Sequence, residues 1–399
     1  MSLGLADRVL RVKPSKTLAV TAHAAELKAA GKDVINFGVG EPDFDTPDNI
    51  KTAAIQAIQN GFTKYTAAAG IPDLKKAIQA KLHRENNLDY DLGQIIVSAG
   101  AKYSIYSLFQ ILLNAGDEVL IPAPYWVSYP DMVLLAHGEP VIVPTKAENN
   151  FELTLEDLQK NITPRTKILV LNSPSNPTGS VYSQAKLQAI AKFLEDKDIY
   201  IIYDEIYEYF LYGKEKFYSI AQFSQKIREK TIIVNGVSKS YSMTGWRIGY
   251  AVGPVQVIKA METLQSQSVS NPASIAQAAA VEAINGDQSS VKVMLNAFAK
   301  RRQCMLEAFQ QIAGIKCHAP QGAFYVFPDI SALYGKSYKG KLLKNSLDFA
   351  DMLLIEKNVA VVPGVAFGDD NCVRLSYACS TENIKKGLAR LAEFVQELR

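Results

Sequence analysis

A run of apolar residues that ends in two acids, DIYIIYDE, occupies residues 198–205. Further runs rich in Val, Ile and Leu lie at residues 94–100, 118–124, 139–145, 167–173, 231–238 and 247–253. Stretches with helical spacing of apolar residues lie between them, among them AKYSIYSLFQILLN (101–114) and SQAKLQAIAKFLED (183–196). This alternation predicts an α/β fold around a mainly parallel seven-stranded sheet, with helices covering both faces.

The sequence changes in character after about residue 290. A long helical stretch, VKVMLNAFAKRRQCMLEAFQQI, is followed by short β-rich segments such as CHAPQGAFYVFPDI and CVRLSYAC. We therefore predict a large domain over residues 48–290 and a smaller α+β domain over residues 291–399. Residues 1–47 show no strand–helix alternation, and we expect them to pack on the small domain or on a partner subunit.

The composition excludes several classes of protein. The 399 residues carry 43 Lys and Arg against 40 Asp and Glu, a net charge of +3, which favours neither a nucleic-acid nor an acidic-membrane partner. The four cysteines form no CxxC pair, so neither a zinc site nor another metal site is expected. No stretch of 18 apolar residues and no secretory signal is visible, so we expect a cytoplasmic protein.

Unusual residues follow four of the predicted strands. The strand endings read AGAK (99–102), NSPSNPTG (172–179), DEIY (204–207) and GVSKS (236–240). Ligands of open α/β sheets bind beyond the carboxyl ends of the strands, so a parallel sheet would bring these endings together. Taken singly, each has an ordinary explanation: Lys239 as a surface lysine, Asp204 as a helix cap, and the other two as turns.

Together, the four endings have a more specific chemistry. A helix N-terminus after Gly100 suits a phosphate, because its free N–H groups and dipole favour an anion. An amine such as that of Lys239, at a shielded strand end, forms a Schiff base once its pKa is lowered. The carboxylate of Asp204, at the end of an apolar strand, needs a cationic partner. An aldehyde, a phosphate and a ring nitrogen that becomes cationic describe pyridoxal phosphate.

Longer motifs extend this pattern over nearly the whole chain. They are SKSYSMTGWRIGY (238–250), SPSNPTG (173–179), YDEIYE (203–208), VKPSKT (12–17), GVGEPDFDTP (38–47), KYTAAAG (64–70), PAPYWVSYP (122–130) and NCVRLSYA (371–378). In their order and spacing these motifs resemble those of the class I/II aminotransferases, which are pyridoxal-phosphate enzymes of fold type I. The nearest subgroup is that of the bacterial aspartate aminotransferases termed Ib, some members of which also use prephenate.

The resemblance implies roles around the cofactor ring. Lys239 would hold pyridoxal 5′-phosphate as a Schiff base and then shuttle the proton. Asp204 would pair with the pyridine nitrogen and keep it protonated. Asn176 and Tyr207 would hydrogen-bond the phenolic oxygen, with Tyr207 counted among the catalytic residues. Trp126 would stack on the ring, and both Trp126 and Asn176 would also border the substrate.

The same resemblance places the cofactor phosphate. The backbone of Gly100 and Ala101 would receive it, with Lys102 next in the same loop. Arg247 lies eight residues after Lys239, as in the family, and would pair with the phosphate charge. Ser238 would add a hydroxyl.

Further residues match positions that contact the substrate or a neighbouring subunit. Arg374 would bind the α-carboxylate in a bidentate manner, and Gly40 would approach the same carboxylate through its backbone. Tyr65 and Ser270 match positions that reach the phosphate of the other subunit. The resemblance therefore implies a homodimer with shared active sites.

The residues for the distal carboxylate of the substrate differ from those of the animal-type relatives. Animal-type relatives bind it with an arginine at the position that is Ser266 here. In subgroup Ib this role passes to Lys102 and the N-terminal segment, where Lys13 and Thr17 are present. A cation at a helix start is repelled by the dipole, so Lys102 indicates an anionic partner. The resemblance thus implies transfer of the amino group of L-aspartate to 2-oxoglutarate by a ping-pong mechanism, with prephenate as a further acceptor.

Three alternatives remain at this point. Another pyridoxal-phosphate reaction, such as β-elimination or an aromatic or alanine aminotransferase, would use the same cofactor residues. A nicotinamide oxidoreductase finds support in Gly38-Val39-Gly40, but the next residues, Glu41-Pro42-Asp43, lack the third glycine and disfavour a helix start. A regulator with an aminotransferase-like sensor domain needs a DNA-binding module, which the near-neutral charge does not favour.

Overall fold

The main sheet has seven strands among the residues that the computed structural model describes, 4–14 and 16–399, apart from the side chains of residues 16–18. The strands of the chain are β1 (Ile35–Asn36), β2 (Ile95–Ser98), β3 (Glu118–Ala123), β4 (Glu139–Pro144), β5 (Thr166–Asn172), β6 (Tyr200–Asp204), β7 (Thr231–Gly236), β8 (Gly249–Val252), β9 (Tyr325–Val326), β10 (Ser337–Tyr338), β11 (Lys341–Leu342), β12 (Val359–Ala360), β13 (Val362–Pro363) and β14 (Val373–Ser376).

The helices surround this sheet and a smaller one. They are α1 (Asp7–Leu10), α2 (Lys16–Ala29), α3 (Asp48–Gln59), α4 (Pro72–Asn86), α5 (Ala101–Leu112), α6 (Ser128–Leu135), α7 (Leu155–Asn161), α8 (Gln184–Leu194), α9 (Gln225–Arg228), α10 (Val255–Ser268), α11 (Ser274–Asn285), α12 (Ser289–Phe309), α13 (Ser346–Lys357) and α14 (Thr381–Glu397). Within the described part of the chain, none of these helices has the length and apolar character needed to cross a membrane.

The main sheet has the order β2-β8-β7-β6-β5-β3-β4. Strands β3 to β7 pair in parallel, whereas β8 runs antiparallel to both β2 and β7. The predicted mainly parallel sheet is therefore confirmed, with one reversed strand. Because β8 is reversed, its start lies at the same edge as the ends of β2, β5, β6 and β7. Arg247, two residues before β8, therefore lies at this edge as well.

Burial explains why these segments form strands. Every residue of β2, β7 and β8 is buried, as expected for a sheet covered on both faces. Helices α4 and α11 pack on one face and α5 and α10 on the other, each through an apolar stripe. Capping residues also fix where helices begin. At the start of α8, the Ser183 hydroxyl accepts a hydrogen bond from the Lys186 N–H.

A small sheet is formed by β13, β14 and β9, which are antiparallel and follow one another in that order. Its core contains Phe298 of α12, Phe349 of α13 and Phe394 of α14. Strand β1 pairs in parallel with β12, with Ile35 opposite Val359, so an early segment lies beside the C-terminal part of the chain. The domain boundaries given above stay predictions.

Candidate active site

A cavity of about 460 Å³ opens at the edge of the main sheet where β5, β6 and β7 end. It lies between this edge and the small sheet. Its lining residues are Thr21, Gly38, Val39, Gly40, Glu41, Ala101, Lys102, Ile105, Trp126, Val127, Asn172, Asn176, Asp204, Ile206, Tyr207, Ser238, Lys239, Thr244, Arg247, Tyr325 and Arg374. Most of the predicted site residues are thus brought together from segments that are far apart in sequence.

Lys239 follows β7 and extends its amine into the cavity. Its Nζ donates to the carbonyl oxygen of Gly40 at 2.7 Å. Burial lowers the pKa of Lys239 from 10.5 to about 8; the nearby Glu41 carboxylate opposes this shift, while the cation of Arg374 adds to it. A lysine with this pKa has an accessible neutral form near neutral pH, and in that form its amine is a nucleophile and a proton acceptor.

Asp204 is the last residue of β6 and is almost fully buried, with 5% of its surface exposed. Tyr129 donates its hydroxyl proton to Asp204 Oδ2 at 2.7 Å, and the Ile206 N–H donates to Oδ1 at 3.2 Å. Burial raises the pKa of Asp204 to about 6, although the Tyr129 hydrogen bond opposes that shift. The residues directly after Asp204 form turns and not an α-helix, so its helix-cap explanation is not supported. A buried carboxylate of this kind is suited to a cation.

The N-terminus of α5 provides an anion site. Gly100 precedes it with φ +94°, a conformation that favours glycine. A Cβ on Gly100 would collide with the guanidinium of Arg247, which lies over the turn and donates to the carbonyl oxygens of Thr244 and Ala99 at 2.8 and 3.3 Å. Gly249, the first residue of β8, leaves room below the same turn, because a Cβ there would overlap the backbone of Ala101. Helix dipole and guanidinium therefore favour a phosphate together.

Hydroxyl and amide side chains line the edge of the main sheet that faces the small sheet. The hydroxyl oxygens of Tyr207 and Tyr325 are 2.9 Å apart and share a hydrogen bond. The backbone N–H of Asn176 donates to Asn172 Oδ1 at 2.9 Å, and the Asn172 amide donates to the Asp204 carbonyl oxygen at 2.9 Å. Burial raises the pKa of Tyr207 well above 10, so this side chain is a neutral phenol.

Arg374 lies on β14 with 3% of its surface exposed. Its Nη2 donates to the Gly38 carbonyl oxygen at 2.7 Å and its Nη1 to Asn176 Oδ1 at 3.0 Å, while its buried Nε has no hydrogen-bond partner. The guanidinium lies 4.5 Å from the centre of the Tyr325 ring and 5.1 Å from that of Phe367. A buried cation with an unused donor is suited to a carboxylate that enters the cavity.

Trp126 and Lys102 border the outer part of the cavity. The Trp126 ring contacts Tyr129 edge to face at 5.2 Å, and the Lys102 ammonium lies 4.9 Å from the centre of the Trp126 ring. Loss of surrounding water, together with the Arg247 charge, lowers the pKa of Lys102. Lys13 is exposed, and its charge acts on Asp131 of α6, whose pKa is raised by burial.

The remaining predicted residues are distributed differently. Ser238 is buried and lines the cavity. Tyr65 and Ser270 lie outside it on the surface, and Tyr65 is 91% exposed. The side chain of Thr17 lies outside the described part of the structure, so its predicted contact stays a prediction.

The sequence analysis missed several residues that the fold brings to the site. They are Tyr129, Tyr325, Asn172, Glu41 and Phe367. Tyr129 was within reach, because it lies in the motif PAPYWVSYP three residues after Trp126. No pattern marks Tyr325, whose position depends on how the small sheet meets the main one.

The donors of the cavity fit one particular ligand. An amine, a buried carboxylate, phenol and amide hydrogen-bonding groups, and an anion site at a helix N-terminus match an aldehyde, a pyridinium nitrogen, a phenolic oxygen and a phosphate. Fold and site together define a pyridoxal-phosphate enzyme of fold type I.

Comparison with known proteins identifies the family. The model described as "Aminotransferase class I and II" matches residues 32–391. A probable aspartate/prephenate aminotransferase from Rickettsia bellii is 53% identical over 382 residues, which cover 95% of this chain and 96% of that protein. The aspartate/prephenate aminotransferase from Nitrosomonas europaea is 50% identical over 394 residues, covering 98% and 99%.

Solved structures agree with this result. The crystal structure of the aspartate aminotransferase from Rhizobium meliloti has a TM-score of 0.97 and 44% identity, with 100% of both chains covered. That of the Thermus thermophilus aspartate aminotransferase with maleate has a TM-score of 0.93 and 44% identity, covering 98% of this chain and 100% of that one. The chain belongs to the class I and II aminotransferases, whose cofactor is pyridoxal 5′-phosphate.

Proposed function

We propose that this protein is an aspartate aminotransferase. It moves the amino group of L-aspartate to 2-oxoglutarate and produces oxaloacetate and L-glutamate in a ping-pong reaction. The observation that carries the proposal is that one cavity holds Lys239, Asp204, Arg247 and Arg374 at once. Each has the charge and position needed for one part of the cofactor or the substrate.

Lys239 moves the proton. When bound, pyridoxal phosphate supplies an aldehyde that takes up an amino group and a ring that withdraws electrons from the substrate Cα. The Lys239 amine, with a pKa of about 8, is close to the value at which it both accepts and returns a proton at neutral pH. The Gly40 carbonyl oxygen holds Nζ at 2.7 Å and so orients the amine inside the cavity.

Asp204 and the α5 N-terminus would hold the two ends of the cofactor. Asp204 favours a protonated ring nitrogen, because a buried carboxylate is stabilised by a cation beside it. Tyr129 keeps the carboxylate in place from the other side. Arg247 and the N–H groups of the first turn of α5, beginning with that of Ala101, would receive the phosphate, whereas the Gly100 N–H donates to the Ser98 carbonyl oxygen at 2.7 Å.

Arg374 binds the α-carboxylate of the substrate. Its guanidinium is held by Gly38 and Asn176 and stacked on Tyr325, so that binding requires little reordering. The planar fork matches a carboxylate in a bidentate manner. Because every amino acid has this group, Arg374 orients all substrates alike and does not select among them.

Lys102 is the group that we assign to the distal carboxylate. It lies at the outer side of the cavity, over the Trp126 ring, with its charge not paired to an acid in any contact of the described residues. The similar Thermus thermophilus enzyme was solved with maleate, a dicarboxylate. A dicarboxylic substrate therefore agrees with both the chain and its relatives.

Transfer to prephenate is a second candidate activity. The relatives from Rickettsia bellii and Nitrosomonas europaea are named for aspartate and prephenate together. We assign Lys13 and Thr17 of the N-terminal segment to this activity because they match the subgroup Ib members that accept prephenate. Incubation of the enzyme with aspartate and prephenate should yield arogenate, and the absence of arogenate while 2-oxoglutarate is turned over would restrict the enzyme to the first reaction.

Absorption spectroscopy of the purified protein tests the main proposal. The absorption band of bound pyridoxal phosphate should change on addition of aspartate and return on addition of 2-oxoglutarate. The Lys239→Ala variant should bind the cofactor but should not complete the cycle. Turnover by that variant, or release of pyruvate and ammonia in place of amino transfer, would contradict the proposal.

We also propose that the enzyme is a homodimer. Tyr65 and Ser270 are exposed on a surface that also presents Phe62. The Ser274 hydroxyl donates to the Phe62 carbonyl oxygen at 2.8 Å and ties the two segments together. Exposed apolar side chains on the nearby α3 are typical of an interface. Tyr65 and Ser270 would then complete the phosphate site of the second copy.

Hybrid dimers test this arrangement. Lys239→Ala and Tyr65→Ala subunits are mixed under conditions that exchange subunits. If the active sites are shared between subunits, the mixture regains activity. One of the two sites in each hybrid dimer then contains native Lys239 from one subunit and native Tyr65 from the other. Lys239→Ala mixed with Asp204→Ala is the matched control and should stay inactive, since both residues belong to one subunit's site. No recovery in the first mixture would contradict shared sites.

We propose a cytoplasmic location as well. The four cysteines are free, which is usual in a reducing compartment. Fractionation of the source cells with an antibody against this chain tests the location, and recovery in a secreted fraction would contradict it.

A further inference from the structure

Tyr325 lies on β9 of the small sheet and reaches the edge of the main sheet. Its surface is fully buried, and its backbone is fixed by the pairing of β9 with β14, where it lies opposite Ser376. Phe324 packs against its ring at 4.7 Å, and the Tyr207 ring meets it edge to face at 5.8 Å. The hydroxyl of Tyr325 is thus held in one place by packing on both sides.

The Tyr325 hydroxyl has one close hydroxyl neighbour, that of Tyr207, at 2.9 Å. Each phenol has one proton, so one of the two hydroxyls donates and the other accepts. The structure leaves both directions open. Once Tyr207 donates to an oxygen of the bound cofactor, its proton is no longer free for Tyr325. The hydrogen bond between them must then run from Tyr325 to Tyr207.

Arg374 favours the same direction. Its guanidinium lies 4.5 Å from the centre of the Tyr325 ring. Burial raises the pKa of Tyr325, and the Arg374 charge opposes that rise, which strengthens the Tyr325 hydroxyl as a donor. A hydroxyl that accepts a strong hydrogen bond becomes in turn a stronger donor itself. The three side chains form a chain from Arg374 through Tyr325 to Tyr207 that ends in the cavity.

We propose that Tyr325 is a positioning residue for Tyr207: it donates to the Tyr207 oxygen and so directs the Tyr207 proton into the cavity. This inference rests on the proposed function, because that proton is directed at the phenolic oxygen of pyridoxal phosphate. A stronger donor at that oxygen stabilises the deprotonated form of the bound cofactor. Tyr325 therefore lowers the pH at which the cofactor absorption changes.

The Tyr325→Phe variant removes the hydroxyl and keeps the ring under Arg374. The absorption of the holoenzyme is titrated between pH 5 and 10. We expect the midpoint to move upward by about 0.3–1 pH unit, the size expected for loss of one neutral hydrogen bond. We expect kcat for aspartate to fall severalfold, with a smaller change in KM, because Arg374 still binds the carboxylate.

Two further variants separate positioning from a general effect on structure. Tyr377→Phe is the matched control: it removes another fully buried hydroxyl near the small sheet, one that donates to the Ala323 carbonyl oxygen at 3.2 Å. Its titration midpoint should equal that of the wild type. In the Tyr207→Phe background, Tyr325→Phe should cause no additional shift, because the residue through which it acts has lost its hydroxyl.

The outcomes are distinct. If the cofactor absorption of the wild type titrates and the Tyr325→Phe variant has the same midpoint, the inference is overturned and the proposed function stays intact. Equal shifts from Tyr325→Phe in both backgrounds, or from Tyr377→Phe, would also overturn it. A wild-type protein without cofactor absorption would overturn the proposed function, and the inference with it.

Discussion

Replacement of Tyr129 by phenylalanine removes the hydroxyl that donates to Asp204 Oδ2 at 2.7 Å. Both side chains are buried, so water does not readily replace the lost donor. The carboxylate then retains the Ile206 N–H at 3.2 Å as its hydrogen-bond donor among the described contacts. We expect the ionised form of Asp204 to become less stable, and with it the binding of the cofactor ring.

The size of the effect follows from the geometry. A hydrogen bond to a charged group contributes about 1.5–3 kcal/mol, which equals about 1–2 pKa units. The pKa of Asp204 should rise from about 6 to between about 7 and 8. At pH 7 the ionised fraction would then fall from roughly 90% to between roughly 50% and 10%. Cofactor affinity should fall at pH 7 by about two- to tenfold and recover toward pH 9.5, where Asp204 is ionised in both proteins.

Pyridoxamine 5′-phosphate is the suitable probe, because it forms no covalent bond with Lys239. Its dissociation constant is measured from pH 5 to 9.5 through the quenching of protein fluorescence, for the wild type and the variant at each pH. The ratio of the two constants cancels the titration of the probe itself. Tyr182→Phe, which removes a buried hydroxyl that accepts the Leu153 N–H at 3.0 Å, serves as control. A ratio that does not depend on pH would refute the reasoning.

Three further predictions concern the substrate and stability. Lys102→Met should reduce kcat/KM for aspartate by about 10–150-fold relative to alanine, the range for one charge-assisted hydrogen bond, and an unchanged ratio would contradict its role. Arg374→Lys should raise KM for all amino acids alike, because lysine lacks the planar fork; a loss confined to dicarboxylates in steady-state kinetics would speak against the assignment. Burial and the neighbouring Glu208 raise the pKa of Glu205, whose Oε2 has no partner, so its contribution to stability is present below about pH 4.5 and is lost as pH rises through the raised pKa. Urea unfolding of Glu205→Gln should show a flatter pH dependence than the wild type, and identical curves would disprove this.

Much of the site was predictable because its groups follow strands. Lys239 and Asp204 are the clearest examples. An apolar strand has a recognisable sequence, and parallel strands place their ends at one edge, so the convergence of these residues needed no further information. Arg247 was harder, since it precedes a strand; it reaches the same edge because β8 is reversed.

Other features were not predictable because they depend on contacts between distant segments. Arg374 meets Asn176 across 198 residues, and Tyr325 meets Tyr207 across 118. Sequence patterns report local periodicity and do not report which side chains face one another across two sheets. Tyr129 is intermediate: its place in the motif PAPYWVSYP was visible, but its bond to Asp204 was not.

The sequence by itself determined the order of strands and helices, the residues at each strand end and, through its long motifs, the family. The tertiary structure alone decided how these residues behave. Burial lowers the pKa of Lys239 and raises that of Asp204, the small sheet brings Arg374 and Tyr325 to the cavity, and Tyr65 stays on the surface. The physical reason is that loss of water and distant contacts set these properties, and both arise only when the chain has folded.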